Sequence, residues 1–405
     1  LTLAMSGCSG RKTSEEARDL ADSITVAAFG SDVNFLRRFT EIIVLSEPSG
    51  QAQIAISPAL QGRVMTTSAS GERGLSFGWI NREAFLSGDT SDHMNAFGGE
   101  DRFWLGPEGG QYSVYFAPGK PFDLAHWHVP RILDLEPFDI ETRGGISVTF
   151  TKAASLTNYS GTVFQFFIKR GIRLLDRREA SKRIGADLDD DLLLVAYESS
   201  NSLRNAGNDA WVADKGLLSI WILGMYNPSD YTTIIIPHRG KSNTISDKVN
   251  DNYFGTVPDN RLKMDDRAIY FRGDGKYRSK IGVAFQHATS WAGSYDAEQS
   301  VLTLVRYNKP EKNANYVNSA WEIQEQPYAG DVINAYNDGP PSPGARPLGP
   351  FYELETSSPA AALQPGDSII HIHTTFHLQG APEHLDPIMK MILGVTSEDA
   401  DRAFN

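Results

Sequence analysis

A single cysteine, Cys8, occurs in the 405-residue chain, so no internal disulfide framework holds it together. No apolar run approaches the ~20 residues that a membrane-spanning helix requires. Positive charge is scarce as well: 38 Lys and Arg face 50 Asp and Glu, a formal net charge of −12. No Lys/Arg run occurs. Such a chain repels phosphate backbones, and nucleic acid is not expected as a partner. There is no G-x-S-x-G elbow, Walker A loop, H-E-x-x-H pair or paired C-x-x-C. Serine hydrolase, nucleotide-binding and zinc readings lose their support with them. Internal repeats and low-complexity blocks are missing too.

What is present reads as strand. Short β-rich or alternating runs fall at 51–56, 62–67, 112–116, 145–151, 163–173, 192–199 and 217–223. More follow at 232–237, 268–272, 280–284, 301–307, 332–336, 351–356 and 368–378. Gly, Pro, Ser or Asn bound most of them. So many strands without intervening helical periods predict an all-β, antiparallel sandwich or barrel. Residues 32–44 place Phe35, Phe39, Ile42 and Ile43 at spacings that suit an early helix or a strand. The end, 382–404, reads as helix, with Met389, Met391, Ile392 and Val395 on an apolar stripe. The breaker-rich stretch 337–350 is expected as a long ordered loop over one face rather than a linker.

The most oddly composed stretch is 98–111, where Glu100, Asp101, Arg102 and Glu108 mix with Phe103, Trp104 and five glycines. Glycine lets the backbone approach a ligand closely, and an indole beside carboxylates suits a polyhydroxylated ring. The competing reading is a tight turn whose charges pair with each other. In 121–130, His126 and His128 share one side of an extended run with Trp127 opposite, a pattern able to donate hydrogen bonds to sugar hydroxyls. Late in the chain, alternation sets Glu353 and Glu355 on one face, with Tyr352 and Leu354 on the other. Paired carboxylates repel, which raises the pKa of one and suits it to act as a base. Alternatively at least one is paired with an Arg, such as Arg63 or Arg102.

Alternation also gives His371, His373, Thr375 and His377 a common face. The first two would lie about 6–7 Å apart, but a metal site would need a third ligand such as His126 or His128. That face is therefore expected to be the wet side of an outer strand, and no metal is assigned. The acidic loop 187–191 offers oxygens to calcium, against a plain solvated turn. No other cofactor is expected.

Two resemblances extend this reading. The run Leu1-Thr2-Leu3-Ala4-Met5-Ser6-Gly7-Cys8 resembles the end of a bacterial lipoprotein signal peptide, although Met5 stands where Leu is usual. It implies a signal remnant at 1–8, lipidation of Cys8 and a tether at 9–27. The protein would then be held to the bacterial envelope, at the outer membrane or periplasmic face, by acyl chains alone.

The second resemblance is to the galactose mutarotase-like superfamily. Gln61-Gly62-Arg63-Val64, Gly98 to Trp104 with Pro107-Glu108, and Glu353-Leu354-Glu355 followed by Leu363-Gln364-Pro365-Gly366 carry it. It implies a large antiparallel β-supersandwich over 28–405, with short N- and C-terminal helices, and a carbohydrate partner. The resemblance makes Glu355 or Glu353 the base and lets Arg63 orient the sugar. The family's Asn-His-x-x-Phe-Asn segment is missing, and its nearest analogue, 203–208, holds no His. Binding is thus the first expectation, in a cleft of Arg63, Glu100, Arg102, Trp104, Glu108, His126, His128 and Glu355. The alternative is an enzyme, an aldose epimerase or a glycan lyase or hydrolase, with Glu355 as base and His128 as acid.

Overall fold

A computed structural model describes residues 28–240 and 244–404. Cys8 and the 9–27 stretch lie outside the described residues. Among the described residues the strands form three antiparallel sheets, of ten, six and three strands. The large sheet runs in the order Leu262–Met264, Ala268–Arg272, Thr232–Pro237, Trp291–Asp296, Val301–Tyr307, Ser368–Gln379, Leu193–Asn205, Val163–Leu175, Ser147–Thr157 and Asp139–Arg143. The second sheet runs Val249–Asn250, Ser279–Ala284, Asp331–Asn337, Tyr352–Ser357, Ser219–Tyr226 and Arg102–Gly106. Ile43–Ser46, Gln53–Ser57 and Arg63–Ser68 make the third.

Period-two patterning decides which side chains enter the core. In Val163–Leu175 the inward positions are Phe164, Phe166, Ile168 and Ile172, all buried. They meet Phe103, Leu105, Ile220 and Ile222 from the six-stranded sheet in one apolar cluster. Leu354, Ile281 and Val283 continue that interface against Ile234, Ile236, Phe271 and Val305. The outer face of the large sheet is covered by three helices, Arg177–Ile184, Pro382–Ile392 and Ser397–Arg402. Their Ala180, Ile184, Leu385, Ile388 and Met389 pack on Ile235, Leu302, Leu304, Phe376 and Leu378. Met391, two residues after the buried Met389, falls on the opposite side of helix Pro382–Ile392 and is exposed rather than on the buried stripe.

Most expected strands form within a few residues of their expected bounds. The 32–44 ambiguity resolves into both alternatives, helix Phe29–Leu36 followed by strand Ile43–Ser46. Residues 112–116 form turns instead of a strand, with one isolated bridge between Phe116 and Trp127. Trp291–Asp296 is a strand, and Arg177–Ile184 is a helix started by a capping box of Asp176 and Glu179; neither was expected.

The histidine face overturns its expectation. Ser368–Gln379 sits inside the large sheet, so its histidine side points into the sandwich rather than into water. Thr356 Oγ1 lies 2.8 Å from His371 Nε2 and 2.9 Å from His373 Nδ1. Burial pulls these imidazoles down to about 3 and about 4, so both stay neutral. His377 Nε2 lies 2.9 Å from Glu100 Oε2, with Thr303 Oγ1 2.9 Å from its other ring nitrogen. Beside it, Arg170 pairs with Asp101 at 2.6 Å, both fully buried, and donates to Gly62 O and Asn201 Oδ1.

The Arg170–Asp101 pair generates a prediction. Arg170→Met strands a buried carboxylate and should cost ~3–5 kcal/mol, read from the urea unfolding midpoint. Adding Asp101→Leu to that variant should restore most of the loss. A single variant as stable as wild type would show that the pair is not what holds this layer.

Candidate functional site

Residues that face each other across an antiparallel sheet share a face, and the register of the six-stranded sheet assembles one polar surface. Trp104 opposes Trp221, which opposes Ser357; Arg102 opposes Leu223, which opposes Glu355, which opposes Asn334. Glu353 opposes Tyr336, which opposes Lys280. The strands at 102–106 and 219–226 are buried on both sides, because loops roof this surface. Glu108 N donates to Ser319 Oγ at 3.2 Å, and Gln111 Nε2 donates to Gln324 O at 2.9 Å, tying two of those loops together.

At the centre, Glu355 Oε2 accepts hydrogen bonds from Trp221 Nε1 at 2.9 Å and Lys280 Nζ at 3.0 Å. The ammonium also lies 4.8 Å from the Trp221 ring centre and 5.4 Å from that of Tyr253. Arg102 pairs with Glu353, its guanidinium 5.1 Å from the Trp104 ring. Aromatic contacts continue from Trp221 through Trp104, Tyr115 and Trp127 to Trp321, at centroid separations of 5.7, 5.6, 6.3 and 5.8 Å. Beside this wall opens a cleft of about 340 Å³, counting its open mouth, lined by Ser219, Trp221, Tyr253, Lys280, Asp331 and Asn334 among others.

Burial and charge set the protonation behaviour. Burial pulls the Lys280 ammonium down, but Glu355, Glu108 and Glu353 outweigh it and raise the pKa, so the lysine stays charged. Burial pushes Glu108 up to about 7, opposed by Lys280 and reinforced by Glu355. The indoles of Trp321 and Trp127 also lower it from nearby, although Trp127 Nε1 makes no hydrogen bond of normal geometry among the described residues. Burial likewise raises Glu353 against the pull of Arg102. Asp331 is raised by burial, opposed by bonds from Tyr253 Oη at 2.7 Å and Asn250 Nδ2 at 3.0 Å.

Of the expected site residues, Glu353, Glu355, Arg102, Trp104 and Glu108 are brought together here. Four are not. Arg63 is buried, its guanidinium donating to Gly98 O at 3.0 Å and Gln61 Oε1 at 2.9 Å. Gly99, at φ +114°, is glycine because a Cβ there would stand 2.7 Å from Arg63 Cδ. Glu100 lies between the sheets with His377. In the His-Trp-His loop the buried side belongs to Trp127, and the histidines face away. His126 Nδ1 lies 2.7 Å from Asp123, and His128 Nδ1 2.7 Å from Asp92 O, its ring stacked on His93 at 4.9 Å.

Sequence reasoning did not assign Lys280, Trp221, Ser219, Tyr253, Asp331, Asn334 or Trp321. A charge opening the otherwise apolar run at 280–284 was the one available signal for Lys280. In the acidic loop, Asp189, Asp191 and His384 bring ligand atoms within 4.8 Å of one another at the exposed surface. Asp189 already engages His384 Nδ1 at 2.7 Å and Asp191 N at 2.9 Å.

A carboxyl with a raised pKa makes the folded chain bind more protons than the unfolded chain. For Glu108 this holds between its ordinary 4.5 and about 7, so its contribution to stability falls as pH rises through that window. Glu108→Gln should flatten the fall in denaturation midpoint across the same window. An unchanged slope would mean that this carboxyl is not the group titrating there.

The fold is shared with solved structures. The Slr1438 protein of Synechocystis sp. PCC 6803 is 12% identical, with a TM-score of 0.52 over 84% of this chain and 96% of its own. A candidate mutarotase, YeaD of Salmonella typhimurium, is 11% identical, with a TM-score of 0.50 over 85% and 92%. A galactose mutarotase-like protein of Lactobacillus casei is 10% identical, with a TM-score of 0.45 over 84% and 100%. The architecture is the galactose mutarotase-like supersandwich, with helices near both ends of the described chain. No curated protein sequence matches the chain. Residues 27–404 match the model of a family of unknown function, DUF6786, and the chain belongs to that family.

Proposed function

We propose that the chain is a carbohydrate-binding protein whose site is the roofed cleft beside Lys280 and Glu355. One observation carries the reading: buried polar atoms around the cleft have no partner among the described residues. They are Ser219 Oγ, Trp104 Nε1, Trp127 Nε1 and Glu355 Oε1. Leaving such groups unpaired costs about 1–3 kcal/mol each, which a ligand rich in hydroxyls recovers. Indole and phenol faces next to them suit the apolar face of a sugar ring. The fold shared with a candidate mutarotase supports the same ligand class.

A second reading, an enzyme on the same cleft, draws on contrasting carboxyls. Salt-bridged Glu355 is the base of this reading, and Glu108, raised to about 7, supplies the acid in place of the distant His128. We propose in addition that Cys8 is lipidated and holds the protein to the bacterial envelope, on the strength of the apolar run and small residues before it.

Titration calorimetry against a panel of mono- and oligosaccharides tests the site. At least one sugar should bind, and Tyr253→Ala, at a half-buried wall position, should weaken it about tenfold or more. Binding by none of the panel would end the sugar reading. For the enzyme reading, Glu355→Gln should stop anomer exchange measured by NMR while the sugar still binds. Exchange surviving in that variant would remove Glu355 as base. Incorporation of an alkynyl fatty acid into the full-length protein in bacteria, lost in Cys8→Ala, tests the anchor; equal labelling of both would rule it out.

A further inference from the structure

The charges in the cleft do not balance. Asp331 and Lys280 line it, and Glu108, Glu353 and Glu355 gather around Lys280 with Arg102 against Glu353, four carboxyl groups beside two cations. Each cation is already committed, Arg102 to Glu353 and Lys280 to Glu355. Glu108 and Asp331 make no ion pair among the described residues. With all four acids ionised, two positive charges against four negative leave a surplus of two negative charges.

The two uncommitted acids differ in what occupies them. Asp331 Oδ2 is taken by Tyr253 Oη and Asn250 Nδ2, both neutral donors. Glu108 is fixed through its backbone, its N–H on Ser319, which lines the cleft, and its carbonyl accepting from Ser113 Oγ, while its carboxyl makes no ion pair among the described residues. The indoles of Trp321 and Trp127, whose rings stack on each other at 5.8 Å, lie near its carboxyl. A desolvated carboxylate beside stacked indoles is a site for a small cation, attracted by the charge and by the ring faces together.

Independent of the acids, the unpartnered buried Ser219 Oγ and Glu355 Oε1 call for hydrogen-bonding groups on the same ligand. A metal ion satisfies the charge but leaves the aromatic wall unused. A phosphorylated or uronic sugar meets only cations that are already paired, and it meets the acid surplus as repulsion.

We propose that the cleft selects a sugar bearing a free protonated amine, an amino sugar, with Glu108 as the counter-ion of its ammonium group. The inference rests on the sugar-binding reading and narrows it to a chemical class. Since burial raises Glu108 to about 7, an incoming ammonium stabilises its ionised form, and binding should release protons near neutral pH.

Calorimetry on the full chain with glucosamine, N-acetylglucosamine, glucose and glucuronate, near neutral pH, tests it. Glucosamine should bind about tenfold or more tightly than its acetylated form, with glucuronate the weakest. Glu108→Gln should bring glucosamine down to the affinity of glucose. Repeating the glucosamine titration in buffers of different ionisation enthalpy should reveal the released protons. If glucose or N-acetylglucosamine binds as tightly as glucosamine, this inference fails while the sugar reading stands. Tightest binding of glucuronate overturns it in the same way. If none of the four sugars binds, the inference fails with no need of a variant, and the wider panel then decides the sugar reading separately.

Discussion

Two glutamates on one face of one strand, both taken out of water, impose the constraint around which the cleft is arranged. Glu353 and Glu355 lie in adjacent same-side positions and would repel each other if both ionised unpaired. Neutralisation comes from opposite directions. Arg102 arrives from the edge strand on one side, and Lys280 from a strand on the other. The pairs therefore link strands that are not neighbours, across Ser219–Tyr226 in one case and Asp331–Asn337 in the other. Removing one partner of such a pair leaves an uncompensated buried charge, far more costly than losing an exposed bridge. The polar face thus ties its own sheet together in addition to forming the floor of the cleft.

The same strand that supplies Arg102 also explains why 98–111 looks so mixed. Arg102 and Trp104 point to the cleft, while Phe103 and Leu105 point to the sandwich core. Just before the strand, Glu100 and Asp101 enter the interior, where His377 and Arg170 meet them. After it, Glu108 returns to the roof of the cleft. A single segment therefore serves an internal charge layer, an apolar core and a functional surface. Each demand accounts for one class of its residues, and neither a salt-bridged turn nor a uniform binding wall describes it.

Much of the architecture was legible because strand alternation is local. The shared faces of Glu353 with Glu355, of Arg102 with Trp104 and of the three histidines all follow from period two. What alternation does not reveal is which face meets the core. That choice went against His371, His373 and His377, because their strand is central in its sheet. It went against His126 and His128 because the larger apolar payload of Trp127 takes the inward side. Lys280 was illegible for a different reason. Its partner Glu355 is distant in sequence, and only the strand order brings them to 3.0 Å. Arg63 shows the opposite error, in which the residue stands where the resemblance expects it but turns to support the Gly98–Gly99 backbone.

The distribution of unsatisfied groups carries the functional argument further than the fold does. Between the sheets Arg170, Asn201, Thr356 and the histidines each have at least one partner, while Glu100 Oε1, Asp101 Oδ2, His373 Nε2 and Thr375 Oγ1 remain unused among the described residues, enclosed where no ligand reaches them. Around the cleft, Ser219, Trp104, Trp127 and Glu355 each keep a buried donor or acceptor unused. Unused groups beside an aromatic wall and an open cleft differ from the interior ones in that a ligand entering the cleft can reach them. The surplus of acid adds a sign to that surface. Hydroxyl recognition alone would be served by neutral donors and acceptors, with no gain from burying carboxylates that lack a cation. Glu108 and Asp331 therefore mark where the site departs from generic sugar binding, and positive charge on the ligand is the property that would make their burial favourable.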